Sequence, residues 1–164
     1  MAKTAFNKIK KLVTNSKLCI KTRKRFVKCF VWSTLTYGCE AWTMNKSNER
    51  RIEAAEMWFW RRVLKVSWTE KVRNEKILEK IGTARELLKL IKQRQLRFVG
   101  HIMREQGIES ICLTGTSNWK LPKGRPRLTY MDWLVRAQGG NCSKTDLMRT
   151  TRDKKQWRFM VANV

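Results

Sequence analysis

The sequence predicts an all-α fold, an irregular multi-helix domain of about six to seven helices with a basic Gly/Pro loop before the C-terminal helices. Two observations predict this class. Apolar residues recur at helical spacing along most of the chain, and the alternation typical of half-buried strands is nowhere sustained. Pro122 and Pro126 lie in one loop near the C-terminus, so the rest of the chain carries no proline that would break a helix.

The first long helix is predicted over residues 20–37, and Gly38 is predicted to end it because glycine readily adopts a left-handed conformation. Lys21, Lys24 and Lys28 fall on one face of this helix. The residues expected on its buried face are Phe26, Val27, Phe30, Val31 and Leu35.

Two helices are predicted in the middle of the chain. Residues 47–66 carry an apolar stripe, and residues 74–81 form a short helix with Asn74 as N-cap and Gly82 as C-cap. The stripe consists of Ile52, Phe59, Val63 and Val66, widened by Trp60 and Leu64. Acidic residues of this region stand near basic ones at helical spacing, which indicates solvated ion pairs. These acids include Glu53, Glu56 and Glu79.

The clearest helix is predicted over residues 84–104. Thr83 and Glu86 have the spacing of a capping box at its start. Gln95 lies within the apolar face, so we expect it to have a buried hydrogen-bond partner. The apolar face consists of Leu87, Leu88, Ile91, Phe98, Val99 and Ile102.

The C-terminal part is predicted to form two helices, over residues 128–138 and 144–160. The second follows a Ser-x-x-Asp start at Ser143. The organisation expected for the whole chain is a basic helical region at 1–105, a basic loop or linker at 106–127, and a helical pair at 128–164 packed on the same domain.

Positive charge is the most pronounced feature of the sequence. The 37 Lys and Arg residues against 13 Asp and Glu residues give a formal charge of +24. The charge is uneven, because residues 1–39 contain no acid whereas residues 40–84 are nearly balanced. Cationic zones that flank a more neutral middle are typical of a surface that binds a polyanion.

Patterns of catalytic and metal-binding residues are not found in the sequence. The five cysteines include no CxxC pair and the single histidine is His101, so the ligand spacing of a zinc site does not occur. We also find no glycine-rich phosphate loop and no carboxylate cluster that would hold catalytic metal ions. We expect no catalytic residue, no cofactor, no metal and no small-molecule substrate.

Neither a membrane span nor a secretion signal is predicted. No apolar run approaches the roughly 18 residues that a spanning helix needs. The N-terminal residues lack the long apolar region of a signal peptide. We expect an intracellular protein, nuclear or cytoplasmic, that is not secreted and has no membrane partner.

A basic segment at residues 121–127 differs from the helices, because one glycine and two prolines favour an extended loop there. Lys123, Arg125 and Arg127 are candidate phosphate contacts, and the nearby Trp119 is the aromatic residue that we expect to stack on bases. A disordered basic linker fits the composition equally well. The other aromatic candidates, expected mostly in the core, are Trp42, Trp58, Phe59, Trp60, Trp68, Trp133 and Trp157.

Several short blocks occur in a specific order and spacing within residues 17–158. They include Tyr37-Gly38, Glu40-Ala41-Trp42-Thr43, Arg61-Arg62, Ser67-Trp68-Thr69, Phe98-Val99-Gly100-His101 and Gly124-Arg125-Pro126-Arg127. Each block alone is a weak signal, whereas the ordered set is specific. Together they resemble the region that follows the polymerase domain in non-LTR (LINE-type) retrotransposon proteins, especially the RTE-like endonuclease–reverse transcriptases.

The resemblance implies the thumb and connector region of a reverse transcriptase. In such enzymes the thumb is helical, packs beside the palm and holds the template–primer duplex by its backbone. The fingers, the palm with its Asp-Asp motif and an endonuclease domain are absent from this sequence. The resemblance therefore implies a chain without polymerase or endonuclease activity of its own, and a reverse transcriptase palm domain as a candidate protein partner.

Two hypotheses follow for the function. The first is a nucleic-acid-binding helical fragment that holds RNA or an RNA–DNA hybrid, with DNA as a further candidate, through backbone phosphates. The second is a non-functional or purely protein-interacting remnant of a truncated retrotransposon that needs the absent palm domain to fold. The contacts expected under the first hypothesis are Lys21, Arg23, Lys24, Arg25, Lys28, Lys89, Lys92, Arg97, Trp119, Lys123, Arg125 and Arg127.

Overall fold

The computed structural model describes residues 1–105, 107–114, 124, 129–140 and 142–164. Every regular element in these ranges is helical, which confirms the predicted all-α class. The described residues contain nine helices, more than predicted. Two of the additional helices lie outside the predicted elements, and the third arises because one predicted helix is divided. None of the helices in the described ranges is both long and apolar enough to cross a membrane.

The chain forms two compact units. Unit 1 comprises Met1–Gly38 and Ser47–Leu88, and unit 2 comprises Cys39–Lys46 and Lys89–Val164. The helices that lie mainly in unit 1 are α1 (Ala2–Val13), α2 (Ile20–Phe26, continued by π-helical Val27–Trp32 and by Ser33–Leu35), α3 (Lys46–Val63) and α4 (Asn74–Ile81). Those that lie mainly in unit 2 are α5 (Leu87–Glu105), α6 (Ile108–Thr114), α7 (Tyr130–Ala137), α8 (Lys144–Thr150) and α9 (Lys154–Ala162).

The π-helical part of α2 changes which side chains are buried. Val27, Val31 and Trp32 are in the core, as expected of a segment whose hydrogen bonds join residues i and i+5. The prediction that Phe30 lies on the buried face is wrong, because its side chain is 52% exposed. The wider turn rotates Phe30 out of the face that an ordinary α-helix would bury. Gly38 ends this region with φ +66°, as predicted.

Aromatic side chains form much of the core of unit 1. The rings of Phe6 in α1 and Phe59 in α3 lie 5.5 Å apart, and the edge-on rings of Trp32 and Trp60 lie 5.9 Å apart. All four side chains are buried. Aromatic pairs at these separations add to the stabilisation that burial of their area provides. Helix α1, which the sequence analysis did not assign, is therefore held to the unit by Phe6.

The buried Gln95 connects three segments of unit 2. Its amide nitrogen donates to the carbonyl oxygens of Cys39 and Trp42, each at 2.8 Å. Its amide oxygen accepts from the indole nitrogen of Trp133 at 2.6 Å. The expectation that Gln95 has a buried partner is thus confirmed. The 3-10 turn Cys39–Ala41 and helix α7 are both tied to α5 through this one side chain.

Glu56 is buried and does not form a solvated ion pair, so that prediction is wrong. Its Oε1 accepts from the backbone N–H groups of Glu86, at 3.0 Å, and Leu87, at 3.3 Å. These are among the donors that a helix start leaves without intrahelical partners. Helix α5 therefore begins at Leu87 and not at residue 84, and Thr83 donates its hydroxyl hydrogen to the Glu86 carboxylate at 2.7 Å.

The predicted helix over residues 144–160 consists of two helices, α8 and α9. The Ser143 hydroxyl accepts from the backbone N–H of Asp146 at 3.1 Å, so the predicted start is confirmed. The break occurs at Asp153, whose carboxylate accepts from the N–H groups of Lys155 and Gln156 at 2.8 and 3.2 Å. An aspartate that caps a new helix start explains why the helical spacing continues although the helix does not.

Candidate nucleic-acid interface

The candidate cations of α2 have two different roles. Lys21 and Arg25 are exposed and form no ion pair within the part of the chain that the structure describes. The other three bind other parts of unit 1. Arg23 donates to the carbonyl oxygen of Val63 at 3.1 Å, Lys24 donates to that of Gly82 at 2.9 Å, and Lys28 pairs with the carboxylate of Glu86.

The candidate phosphate contacts on α5 belong to unit 2. Lys89 and Arg97 are exposed, and the ammonium of Lys92 lies 5.7 Å from the ring centre of Trp133. The four remaining candidates lie outside the described residues; they are Trp119, Lys123, Arg125 and Arg127.

Most tryptophans in the described residues belong to the core, as expected. Trp60, Trp133 and Trp157 are buried. Trp68 is the exception, because its side chain is 81% exposed. Trp58 is partly exposed, and its ring faces the Arg62 guanidinium at 4.3 Å.

Trp68 borders an open groove in unit 1, which we call the Trp68 groove. Its volume is about 490 Å³. The end of α1, the last turns of α3 and the loop after α3 form its walls. The lining residues are Lys10, Thr14, Trp58, Arg61, Arg62, Lys65, Val66, Ser67 and Trp68.

The loop that carries Trp68 is fixed by local hydrogen bonds. The backbone N–H groups of Lys65 and Val66 donate to the carbonyl oxygens of Arg62 and Arg61, which is the pairing of a Schellman motif. A capping box then follows, in which the carboxylate of Glu70 accepts from the N–H of Ser67 at 2.7 Å. The backbone on both sides of Trp68 is therefore held by hydrogen bonds.

Arg61 and Trp68 form a second fixed element of the groove. The Arg61 guanidinium donates to the carbonyl oxygen of Val72 at 2.6 Å and to the Asn74 side-chain oxygen at 3.0 Å. Its central carbon lies 5.3 Å from the ring centre of Trp68, within the range of a cation–π contact. Arg61 thus supports the indole from a position that its own hydrogen bonds hold.

The Trp68 groove is positively charged. Its lining contains four cationic side chains, Lys10, Arg61, Arg62 and Lys65, and no carboxylate. Cations near the C-terminal ends of α1 and α3 also complement the helix dipoles, which is an ordinary structural role. Each helix end carries roughly half a negative charge, so the two ends offset only about one of these positive charges. The groove therefore keeps a net positive charge.

A second cationic groove lies in unit 2 between α5 and α9, and we call it the Arg97 groove. Its volume is about 460 Å³, and its cations are Arg97, Arg104, Lys154 and Arg158, again without a carboxylate in the lining. Arg104 also donates to the carbonyl oxygen of Thr151 at 3.2 Å. Arg97 is the one sequence-predicted contact in this groove.

Close packing of Trp157 against α5 shapes the Arg97 groove. The Trp157 indole donates to the carbonyl oxygen of Leu96 at 3.1 Å. A side-chain carbon added at Gly100 would lie 2.0 Å from the Trp157 indole nitrogen, so this approach requires glycine. The packing explains why α9 presents Lys154 and Arg158 beside Arg97.

Several groove residues were missed by the sequence analysis. Lys10 lies about 50 residues before Arg62 and Lys65 in the chain, and no linear charge count brings it together with them. A signal for Trp68 was present, since Ser67 and Glu70 have the spacing of a capping box. A tryptophan in such a turn lies outside any helical apolar stripe.

No group of three or more metal-binding side chains occurs among the residues that the structure covers. Burial raises the pKa of the Glu56 carboxyl above its usual value. The oxygens of that carboxyl accept hydrogen bonds from backbone N–H groups at the start of α5.

Comparison with known proteins finds sequence similarity to a transposon-derived protein. The chain is 29% identical over 168 aligned residues to a transposon-derived protein of Caenorhabditis elegans that is itself uncharacterized. The alignment covers 96% of this chain but 60% of the worm protein, so the chain spans about three fifths of that relative. No family model and no solved structure matches the chain. The similarity supports an origin in a transposable element.

Proposed function

We propose that this chain is a nucleic-acid-binding helical fragment related to the thumb and connector region of a non-LTR retrotransposon reverse transcriptase. It holds RNA or an RNA–DNA hybrid by contacts to backbone phosphates, without a polymerase or endonuclease site of its own. DNA is a further candidate ligand. Such contacts provide affinity and register but carry no sequence information directly.

One observation carries the proposal: each unit contains a groove with four cations and no carboxylate in its lining. Some cations outside the two grooves pair with carboxylates, as in Arg85 with Glu53 at 3.4 Å and Lys144 with Asp132 at 2.6 Å. Unopposed charge in a concave surface raises the local concentration of an anionic ligand. The ordered sequence blocks and the similarity to a transposon-derived protein support the retrotransposon origin.

A second candidate function is suggested by exposed aromatic side chains on and after α2. Phe30 is 52% exposed and Tyr37 is 86% exposed, and both belong to unit 1. Exposed aromatic side chains of this kind fit a remnant whose partner is an absent palm domain. In that case the charge has no specific ligand, and nucleic-acid affinity does not depend on which cations are removed.

Neutralising each groove separately distinguishes the two functions. The variants are Lys10→Gln/Arg62→Gln/Lys65→Gln for the Trp68 groove and Arg97→Gln/Lys154→Gln/Arg158→Gln for the Arg97 groove. Arg61 and Arg104 are left unchanged because their guanidinium groups donate to backbone carbonyls. Each triple variant is expected to reduce the slope of log affinity against log salt by about two to three, since each phosphate contact contributes about 0.7–0.9.

A matched control removes the same charge from another surface. Arg51, Lys76 and Lys80 are exposed and line neither groove. The variant Arg51→Gln/Lys76→Gln/Lys80→Gln is expected to keep the wild-type slope for an RNA hairpin within about half a unit. If this control and the groove variants lose affinity equally, binding depends on net charge alone and the proposed interface is wrong.

A further inference from the structure

We propose that the Trp68 groove binds an unpaired nucleotide, with its base stacked on Trp68 and its phosphates beside Arg62 and Lys65. The inference rests on the proposed nucleic-acid function and adds to it a single-strand site. The sequence analysis placed the stacking aromatic at Trp119, so a stacking site at Trp68 is separate from that prediction.

The first reason is that an exposed indole lies in a hydrogen-bonded loop, against the guanidinium of Arg61. Tryptophan ordinarily buries a large apolar area, but 81% of the Trp68 side chain is exposed to solvent. Its loop is fixed by the Schellman motif and the capping box, and Arg61 supports the ring at 5.3 Å. An indole fixed in this way can stack on a base with little further loss of conformational entropy.

Backbone strain around the indole is the second reason. Lys65 and Lys71, which flank the Trp68 turn, are the non-glycine residues with positive φ in the described part of the chain, at 59° and 49°. This conformation costs a residue with a side chain about 1–2 kcal/mol. At the end of α4, Gly82 occupies the same place in the same motif. Strain of this kind clusters at binding sites, and Lys65 is one of the residues that line the groove.

The chemistry of the lining selects the ligand. A planar aromatic surface beside several cations matches a ligand that is both planar and anionic, and a nucleotide in a single strand is both. A paired base has both faces covered by its neighbours, so duplex cannot use the indole in the same way. The groove volume of about 490 Å³ lies within the usual range for small-ligand sites. Anionic lipid surfaces also attract tryptophan and lysine, but they favour a convex amphipathic face over a groove.

The test measures how much the base contributes to binding. Affinity is measured for a 12-mer of deoxythymidine and for the same strand with abasic sites, which retains every phosphate. Wild-type chain is expected to bind the intact strand about 5- to 150-fold more tightly than the abasic strand. In Trp68→Ala this ratio is expected to fall to about one to two, while Trp68→Phe keeps part of it because a smaller ring still stacks.

Two further variants distinguish an effect of lost stacking from effects of lost stability or lost charge. Lys65→Gly keeps the left-handed backbone and removes the charge, so it is expected to retain the wild-type melting temperature or exceed it. Its salt slope is expected to fall by about 0.7 while the ratio for intact over abasic strand persists. Trp119→Ala is measured in parallel, because the sequence analysis assigned stacking to that residue.

The outcomes distinguish this inference from the proposed function. If wild-type chain binds both strands equally but with a steep salt slope, the stacking site is wrong and phosphate binding stands. Loss of the ratio in Trp119→Ala and not in Trp68→Ala also overturns the inference. If the chain binds anionic phosphatidylserine vesicles but no oligonucleotide, the proposed function and the stacking site both fail.

Discussion

A Gln95→Leu variant is expected to unfold with a free energy about 3–5 kcal/mol below that of the wild-type chain. The substitution removes three hydrogen bonds within unit 2. The indole N–H of Trp133 and the carbonyl oxygen of Trp42 lose the Gln95 partner, whereas the carbonyl oxygen of Cys39 still accepts from the backbone N–H of Trp42 at 3.2 Å. Each buried group that loses its hydrogen bond costs about 1–3 kcal/mol. Leucine has a similar volume, so a cavity contributes little to the loss.

Urea denaturation followed by circular dichroism measures this effect. Gln93→Leu is a suitable control, because Gln93 lies two residues earlier on the same helix and is only partly buried. The control is expected to change the unfolding free energy by less than about 0.5 kcal/mol. A Gln95→Leu chain as stable as the control would show that the three-segment connection contributes no stability.

The second large effect is expected for Glu56→Ala, with a loss of about 2–4 kcal/mol in the free energy of unfolding. The alanine leaves the N–H groups of Glu86 and Leu87 unpaired at the start of α5. Glu56→Gln is expected to lose much less, since its amide oxygen can still accept from both groups. Glu53→Ala removes only the surface pair with Arg85 and is expected to cost less than about 1 kcal/mol. Equal losses in Glu53→Ala and Glu56→Ala would contradict the capping role.

The Glu56 carboxyl makes the free energy of unfolding depend on pH, in a direction that follows from its pKa shift. Burial raises the pKa of Glu56 in the folded chain above its ordinary value of 4.5, so the folded state binds the proton more tightly than the unfolded state. The resulting stability is fully present below pH 4.5 and is lost as pH rises through the folded-state pKa. The stability difference between wild type and Glu56→Gln is therefore expected to be larger at pH 4 than at pH 7.

Gln95 and Glu56 show what sequence patterns can and cannot reveal about this core. Gln95 interrupts a long apolar stripe, and a polar residue in that position needs a partner wherever the helix packs. Glu56 also lies on an apolar stripe, four residues after Ile52 and before the buried Trp60. Its neighbours in sequence suggested ion pairs. Its true partners are backbone groups 30 and 31 residues away, which no local pattern identifies.

Sequence patterns also predicted the geometry of the helices only in part. Apolar spacing predicted the helical character of residues 20–37, but spacing cannot distinguish an α-turn from the wider π-turn that exposes Phe30. The division between α8 and α9 depends on Asp153, which reads equally well as a helix-interior charge until its carboxylate is seen to cap α9.

The candidate interface was only partly predictable for a related reason. The sequence identified positive charge as the dominant feature, and the predicted contact Arg97 lines the Arg97 groove. Arg23, Lys24 and Lys28 instead bind the carbonyl oxygens or the carboxylate of other parts of unit 1. Whether a cation meets solvent or a carbonyl depends on tertiary packing. Charge along the chain therefore overestimates how many cations of α2 are free of other contacts, and it does not identify the cation in the loop after α3.

Binding of the purified wild-type chain to an RNA hairpin, a DNA duplex and an RNA–DNA hybrid tests the central claim most directly. If the grooves together engage about six to ten phosphates, affinity is expected to fall about 10³- to 10⁵-fold between 50 and 200 mM salt. Saturable binding with that dependence, and higher affinity for RNA or hybrid than for DNA, is the predicted result. Weak binding that is equal for every polyanion, or aggregation in place of a saturable complex, would contradict the account.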